Sequence, residues 1–167
     1  HSVSLLAALV FSVPARAAKN DEVAKPVKTL VQSLRYGKDV AALKKLGGEQ
    51  QARFLLGDAW DKASEAQRKE FITLFHTLFA KIAFPKVREN FKNLSAINYD
   101  APEVNGAEAK VASTIVIDHP MKKQELKLKY TLAKGKDAKG KDAWQVVEVA
   151  VLGWRLCAGT VRDLDRV

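Results

Sequence analysis

The sequence predicts an α+β fold in which N-terminal helices pack on one face of a curved antiparallel sheet of about four strands, with an apolar pocket between the two layers. Two observations carry this prediction. Up to about residue 91 the apolar residues recur at spacings of three and four, the period of an amphipathic helix. From Leu94 onward they alternate, as in half-buried strands. Helices followed by strands are typical of α+β domains.

Three helices are predicted before the longest one. Residues 20–34 carry one apolar face and are followed by Gly37, residues 38–46 end at Gly47-Gly48, and residues 49–56 form the third helix.

The long helix begins at a recognisable cap. Ser64 and Gln67 form a capping-box pattern, in which each side chain binds the free backbone N–H of the other residue. Phe84-Pro85 then breaks or kinks the helix. Its apolar face consists of Phe71, Leu74, Phe75, Leu78, Phe79 and Ile82.

Four strands are predicted over residues 94–99, 108–117, 123–132 and 144–152. The third alternates without interruption and places Leu126, Leu128, Tyr130 and Leu132 inward. The fourth is apolar on both faces, which favours a central position in the sheet. Between these two strands, a repeat of Lys-Gly-Lys-Asp-Ala at residues 134–138 and 139–143 is typical of a solvated hairpin loop.

The first residues resemble a secretory signal. Residues 3–13 are apolar, and Ala15-Arg16-Ala17 has small residues at the positions that a signal peptidase reads. As a helix the apolar run is about 16 Å long, too short for about 30 Å of bilayer hydrocarbon. We therefore predict a signal peptide over residues 1–17 of a precursor clipped at its start, and a single domain over residues 18–167. The alternative is a retained apolar segment docked on the domain.

The charge balance is basic: 28 Lys and Arg against 19 Asp and Glu, a formal net charge of +9. This permits contact with nucleic acid, phospholipid headgroups or an acidic protein face. Binders of single-stranded nucleic acid interleave aromatic and basic residues on an exposed face. Here Tyr130 and the phenylalanines lie on apolar faces, so nucleic-acid binding is not predicted. The lone Cys157 has no histidine nearby and is interpreted as a small buried hydrophobe.

The hairpin repeat contains a near-match to a phosphate-binding loop. Gly135, Gly140 and Lys141 have the required spacing, but Asp142 stands where a Ser or Thr would bind magnesium. A strand follows where the motif needs a helix, so a basic hairpin tip is the preferred interpretation.

No catalytic or metal-binding constellation is predicted. His1, His76 and His119 have no recognised ligand spacing. Asp118 and Glu148 are available for acid–base chemistry, but nothing in the sequence singles them out. We expect a protein that is not an enzyme and that has no cofactor. Its apolar faces form either a solid core or a pocket for a hydrophobic ligand.

Several motifs together resemble the MlaC family, also called the toluene-tolerance family. The segment Leu56-Gly57-Asp58-Ala59-Trp60, the segment from Ser64 to Phe71 and the pair Leu74-Phe75 resemble its pattern "LG..W…t..Qr.eF...F". The run from Trp144 to Gly153 is similar to "WkV.Dv.veG", and Arg162 stands where the family has the arginine of "yR". The resemblance covers residues 23–162. The departures are Glu148 for the usual Asp, Trp154-Arg155 for "vS", and an end before the family's last helix.

The resemblance implies a monomeric, soluble periplasmic carrier of Gram-negative bacteria that binds phospholipid. Such a carrier shuttles lipid between an outer-membrane complex and an inner-membrane ABC transporter, with acyl chains between the sheet and the helices. An enclosed site is needed because a sixteen-carbon chain costs about 12 kcal/mol to expose to water. With the long helix facing the sheet, the predicted lipid-binding residues are Phe71, Leu74, Phe75, Leu78, Phe79, Ile115, Ile117, Leu126, Leu128, Tyr130, Val147 and Val149. The alternative is a non-catalytic exported protein-interaction module with a solid core.

Overall fold

The computed structural model of the chain describes residues 15–137 and 139–156, with side chains up to Gly153. The apolar run of the predicted signal, Cys157 and Arg162 lie outside the described residues, as do the side chains of Trp154 and Arg155.

The first part of the described chain is helical. The long helix starts with the predicted capping box, in which Gln67 N donates to Ser64 Oγ over 3.2 Å and Ser64 N donates to Gln67 Oε1 over 2.9 Å. A π-helix, Phe79–Ala83, joins it to the next helix at the predicted break before Pro85. The helices are α1 Ala15–Arg35, α2 Asp39–Leu43, α3 Gly48–Leu56, α4 Asp58–Lys62, α5 Glu65–Leu78 and α6 Phe84–Asn90, followed by a 3₁₀ turn, Phe91–Asn93.

The second part is a five-stranded antiparallel sheet with the order β1-β3-β4-β5, in which β2 also pairs with β3. The predicted sheet had about four strands; β2 was not predicted because its three residues are all exposed and carry no apolar alternation. The strands are β1 Leu94–Tyr99, β2 Glu103–Asn105, β3 Glu108–His119, β4 Lys122–Lys136 and β5 Asp142–Leu156.

The core lies between α1 and one face of β3 and β4, here called the inner face. α1 buries Val23, Val27, Leu30, Val31 and Leu34. Successive apolar residues of β3 and β4 meet them, as the alternation in β4 predicts: Leu126, Tyr130 and Leu132 are all buried. Every second residue of a strand faces the same side, so this one set of positions builds the inner face.

α1 covers the sheet where the long α5 was expected to do so, and the expectation was wrong in this respect. α5 has no buried residue, and its main contacts are with α3 and the π-helix. Periodicity identifies an apolar face but does not say which element covers it. The apolar stripe of α1 is aliphatic and continues over three turns, so it covers the part of the inner face that β3 and β4 form.

β5 is an edge strand, not the central strand that its two apolar faces indicated. The register shows the reason, because Val147 and Leu152 are extra residues without a partner in β4. Such bulges shift the alternation by one residue and so place apolar side chains on both faces. The link between α2 and α3 attaches to this edge: Gly47 N donates to Val146 O over 2.9 Å, and Val146 N donates to Lys45 O over 2.8 Å.

Candidate functional site

An open apolar groove of about 500 Å³ lies between α3, α5 and β5. Two phenylalanines from α5 and the π-helix form one wall, and the bulged part of β5 forms the opposite one. The lining residues are Leu46, Gln50, Gln51, Phe54, Leu55, Phe75, Phe79, Thr131, Val146, Val147, Glu148 and Val149.

α3 is held against β5 by close backbone approach. A Cβ atom added to Gly47 would lie 2.9 Å from Val147 Cγ1, so only glycine allows this contact without displacement. One turn later, Gln51 Nε2 donates to the backbone oxygen of Val147 over 3.3 Å. These contacts fix the floor of the groove at the bulge.

A row of aromatic rings connects the groove with the core. The ring centroids of Phe71 and Phe75 are 5.9 Å apart, and those of Phe75 and Phe79 are 4.7 Å apart in an edge-to-face arrangement. Phe79 in turn meets Phe84 at 6.2 Å, and Phe84 is only 3% exposed. Aromatic pairs of this kind stabilise by about 0.5–1.5 kcal/mol beyond their buried area. The row therefore anchors a half-exposed helix through its last, buried ring.

One end of the groove is polar. Thr131 lies directly opposite Glu148 in the β4–β5 register, and Gln51 reaches the adjoining Val147. Gln51 Oε1 is buried and has no hydrogen-bond partner among the described residues. Glu148 is the only charged residue among the described residues that line the groove.

The apolar lining continues onto the surface around the groove. Phe54 is 87% exposed, and the other members of this apolar rim are about half exposed. Contiguous exposed apolar patches of this kind mark binding sites for apolar partners. The apolar rim consists of Phe54, Leu55, Leu74, Leu78, Ile82, Val149, Val151 and Leu152.

The predicted lipid-binding residues separate into groups. Phe75, Phe79, Val147 and Val149 line the groove. A second group is buried in the core beneath α1 and does not line it: Ile115, Ile117, Leu126 and Tyr130.

The remaining predicted residues lie near the groove. Leu128 is half-buried at the margin of the core. Phe71 stacks on Phe75, and Leu74 and Leu78 belong to the apolar rim. The expectation that Leu74 and Leu78 face the sheet was wrong, because both side chains are more than half exposed.

Sequence reasoning missed the contribution of α3. Gln50, Gln51, Phe54 and Leu55 line the groove, as does Glu148 of β5. The available signal was Phe54-Leu55-Leu56, an apolar run at the end of a short helix that the core did not require.

A second cavity, of about 510 Å³, lies on the other side of the contact between α3 and α5 and is lined partly by Arg53, His76 and Lys136. Burial lowers the pKa of the His76 imidazole below its usual value of 6.5, and its Nε2 atom has no partner in the described part of the chain. The described residues contain no group of three His, Cys, Asp or Glu side chains that could hold a metal ion. None of the helices over residues 15–137 and 139–156 is long and apolar enough to cross a membrane.

Comparison with known proteins gives a family and a related fold. A search of curated proteins finds no match. Among solved structures, the phospholipid-binding protein from Ralstonia solanacearum, determined in complex with a phospholipid at 1.53 Å, is similar with a TM-score of 0.58. Its sequence is 14% identical, over 81% of this chain and 79% of that one, so the likeness concerns the fold. The family model described as MlaC protein matches residues 43–160, a range that includes every residue lining the groove. This match spans more than half of the sequence, and the chain therefore belongs to the MlaC family.

Proposed function

We propose that this protein is a lipid carrier, not an enzyme, and that it binds phospholipid acyl chains in the groove between α3, α5 and β5. The observation that carries the proposal is the continuity of the apolar groove with the apolar rim in a domain of the MlaC family. The phospholipid complex of the Ralstonia protein, which shares the fold, supports the same ligand class.

The energetics favour such a site. Each CH₂ group moved from water into an apolar site contributes about 0.8 kcal/mol. A bound chain would also cover side chains of the groove and the rim that otherwise face water. Binding therefore removes apolar surface from water on both partners, and it needs no catalytic group.

Membership of the family supports a wider role. We propose that the carrier works in the periplasm, as a monomer, and shuttles phospholipid between an outer-membrane complex and an inner-membrane ABC transporter. The other candidate is a non-catalytic protein-interaction module with a solid core. The tightly buried residues under α1 suit either function. The groove favours the carrier, because Phe75, Phe79 and Val149 line an open apolar space that an acyl chain could occupy.

The carrier proposal is tested by extracting lipid from the purified protein and identifying it by mass spectrometry. We expect phospholipid to be bound, and reloading from vesicles after delipidation. The variant Val149→Trp should lose the lipid because the indole fills the groove. The matched control is Val104→Trp, since Val104 is 47% exposed against 49% for Val149 and lies on β2, outside the groove. A folded wild-type protein that yields no lipid and takes up none would defeat the proposal.

Export is proposed separately. Cleavage after Ala17 would remove only the first three residues of α1, none of which is buried, so the fold should be unaffected. The intact mass of protein expressed from its full precursor should place the N-terminus at Ala18. A mature protein that keeps residues 2–17 would show that the segment is retained.

A further inference from the structure

We infer that the polar end of the groove selects lipids by headgroup charge, with Glu148 favouring headgroups that carry an ammonium group over headgroups with net negative charge. This rests on the proposed function and names the ligand class for the same site.

The first observation is the contrast between the chain and its groove. The chain contains 28 Lys and Arg and has a formal net charge of +9. Yet no Lys or Arg lines the groove within the described residues, and Glu148 is the only charged residue that does. A site adapted to a net-anionic headgroup would place a Lys or Arg side chain beside the phosphate, because these residues supply the charge-assisted donors.

The second observation is the arrangement of hydrogen-bonding groups at the bulge. The Gln51 amide is oriented by the backbone oxygen of Val147, because only its nitrogen can donate to a carbonyl. Its oxygen therefore lies on the other side, buried and without a partner in the described part of the chain. The amide oxygen is therefore enclosed by the protein, and the acceptor open to a headgroup is the exposed Glu148, which follows Val147 directly. A carboxylate accepts hydrogen bonds, and an ammonium group donates three.

No neighbouring cation within the described residues pairs with this charge. Lys129 lies diagonally across the β4–β5 ladder from Glu148, and Lys110 lies opposite Thr131 on the other side. Neither forms a salt bridge with Glu148, for which the structure over residues 15–137 and 139–156 contains no such partner. More distant lysines are screened over about 8 Å at physiological ionic strength. Among the described residues that line the groove, Glu148 is therefore the only charged one, and its carboxylate is free to meet a headgroup.

The test compares two phospholipids with identical acyl chains, one with a phosphoethanolamine and one with a phosphoglycerol headgroup. Their affinities for delipidated protein are measured by competition with a fluorescent lipid. At an ionic strength of about 0.01 M, where the Debye length is about 30 Å, we expect a preference of about three- to tenfold for phosphoethanolamine. At an ionic strength of about 1 M, where the Debye length is about 3 Å, the ratio of the two affinities should fall toward one.

Two variants assign the preference to Glu148. Glu148→Gln should bring the ratio of affinities close to one, and Glu148→Lys should reverse it. The control is Glu103→Gln, which makes the same change in net charge at an exposed position on β2 outside the groove and should leave the ratio unchanged.

The outcomes separate the two proposals. Equal binding of both lipids by the wild type, a preference for phosphoglycerol, or a ratio that Glu148→Gln does not alter would overturn the inference while leaving the carrier function intact. Failure to bind either lipid would overturn both proposals. If Glu103→Gln changes the ratio as much as Glu148→Gln, the overall charge and not the groove sets the preference, and the inference is again wrong.

Discussion

Replacing Phe75 by Ala should weaken lipid binding while destabilising the fold by less than truncation of a fully buried phenylalanine does. The Phe75 ring is half-buried, contacts Phe71 and Phe79, and does not belong to the buried core cluster. A fully buried phenylalanine costs about 3–5 kcal/mol when truncated to Ala. For Phe75 we expect about 1.5–2.5 kcal/mol, from about half the transfer free energy and one edge-to-face contact.

The effect on lipid affinity depends on how much of an acyl chain the same ring covers. If the ring covers two or three CH₂ groups of an acyl chain, its loss costs about 2 kcal/mol of binding free energy. Since 1.4 kcal/mol corresponds to a factor of ten, affinity should fall about thirtyfold.

The control is Phe84→Ala, the same chemical change at the buried end of the aromatic row. It should cost about 3–5 kcal/mol in unfolding free energy. Stability is measured by denaturant titration, followed by the fluorescence of the buried Trp60 and Trp144, and affinity by titration with a fluorescent lipid. If Phe75→Ala destabilises as much as Phe84→Ala, Phe75 is a core residue. If it leaves lipid affinity unchanged, the groove is not the lipid site.

Three other predictions concern stability. The hairpin lysines at positions 134, 136, 139 and 141 are all exposed, so replacing them together by Gln should leave the melting temperature nearly unchanged, and a large loss would show that the hairpin is structural. Ser113 Oγ donates to the Tyr130 hydroxyl over 3.1 Å inside the core, so Tyr130→Phe should lower the free energy of unfolding by about 1–3 kcal/mol. The double variant with Ser113→Ala should lose less than the sum of the two single variants, because both changes remove the same hydrogen bond. Strict additivity in denaturant titrations would contradict this. Because burial lowers the pKa of His76, the unfolded chain binds its proton more readily, and stability should fall as the pH drops below about 6.5. His76→Gln should reduce that slope between about pH 7 and 5.5, and an identical slope in both proteins would contradict the assignment.

The sequence predicted those elements whose signals are local. Ser64 and Gln67 need only each other to start α5, and the alternation of β4 needs only one buried face. The start of α1 was placed five residues late, at residue 20 in place of Ala15, because Ala15-Arg16-Ala17 was interpreted as the end of a signal. α4, a single short turn, was not predicted.

The groove depends on contacts between distant parts of the chain, which a single sequence does not reveal. The inner face of the sheet is one continuous surface in the alternation pattern, but α1 closes the part with Ile115 and Leu126 and leaves Val149 outside. That division results from the length and position of α1. The contribution of Gln51 and Phe54 likewise depends on the bridge between Leu46 and Val146, which joins residues about a hundred positions apart.

The irregular edge of β5 also bears on how the protein avoids self-association. Over the described residues, β5 pairs with no strand on its outer side; the bridge at Leu46 and the Gln51 side chain meet it only at Val146 and Val147, away from the exposed Val149 and Val151. A regular edge with such side chains would be a template for aggregation. Val147 and Leu152 interrupt the ladder, and bulges increase the local twist, so a second copy cannot pair along the full strand. Because of these two extra residues, the chain can expose an apolar groove at its surface without offering a regular strand edge on which a fibril could form.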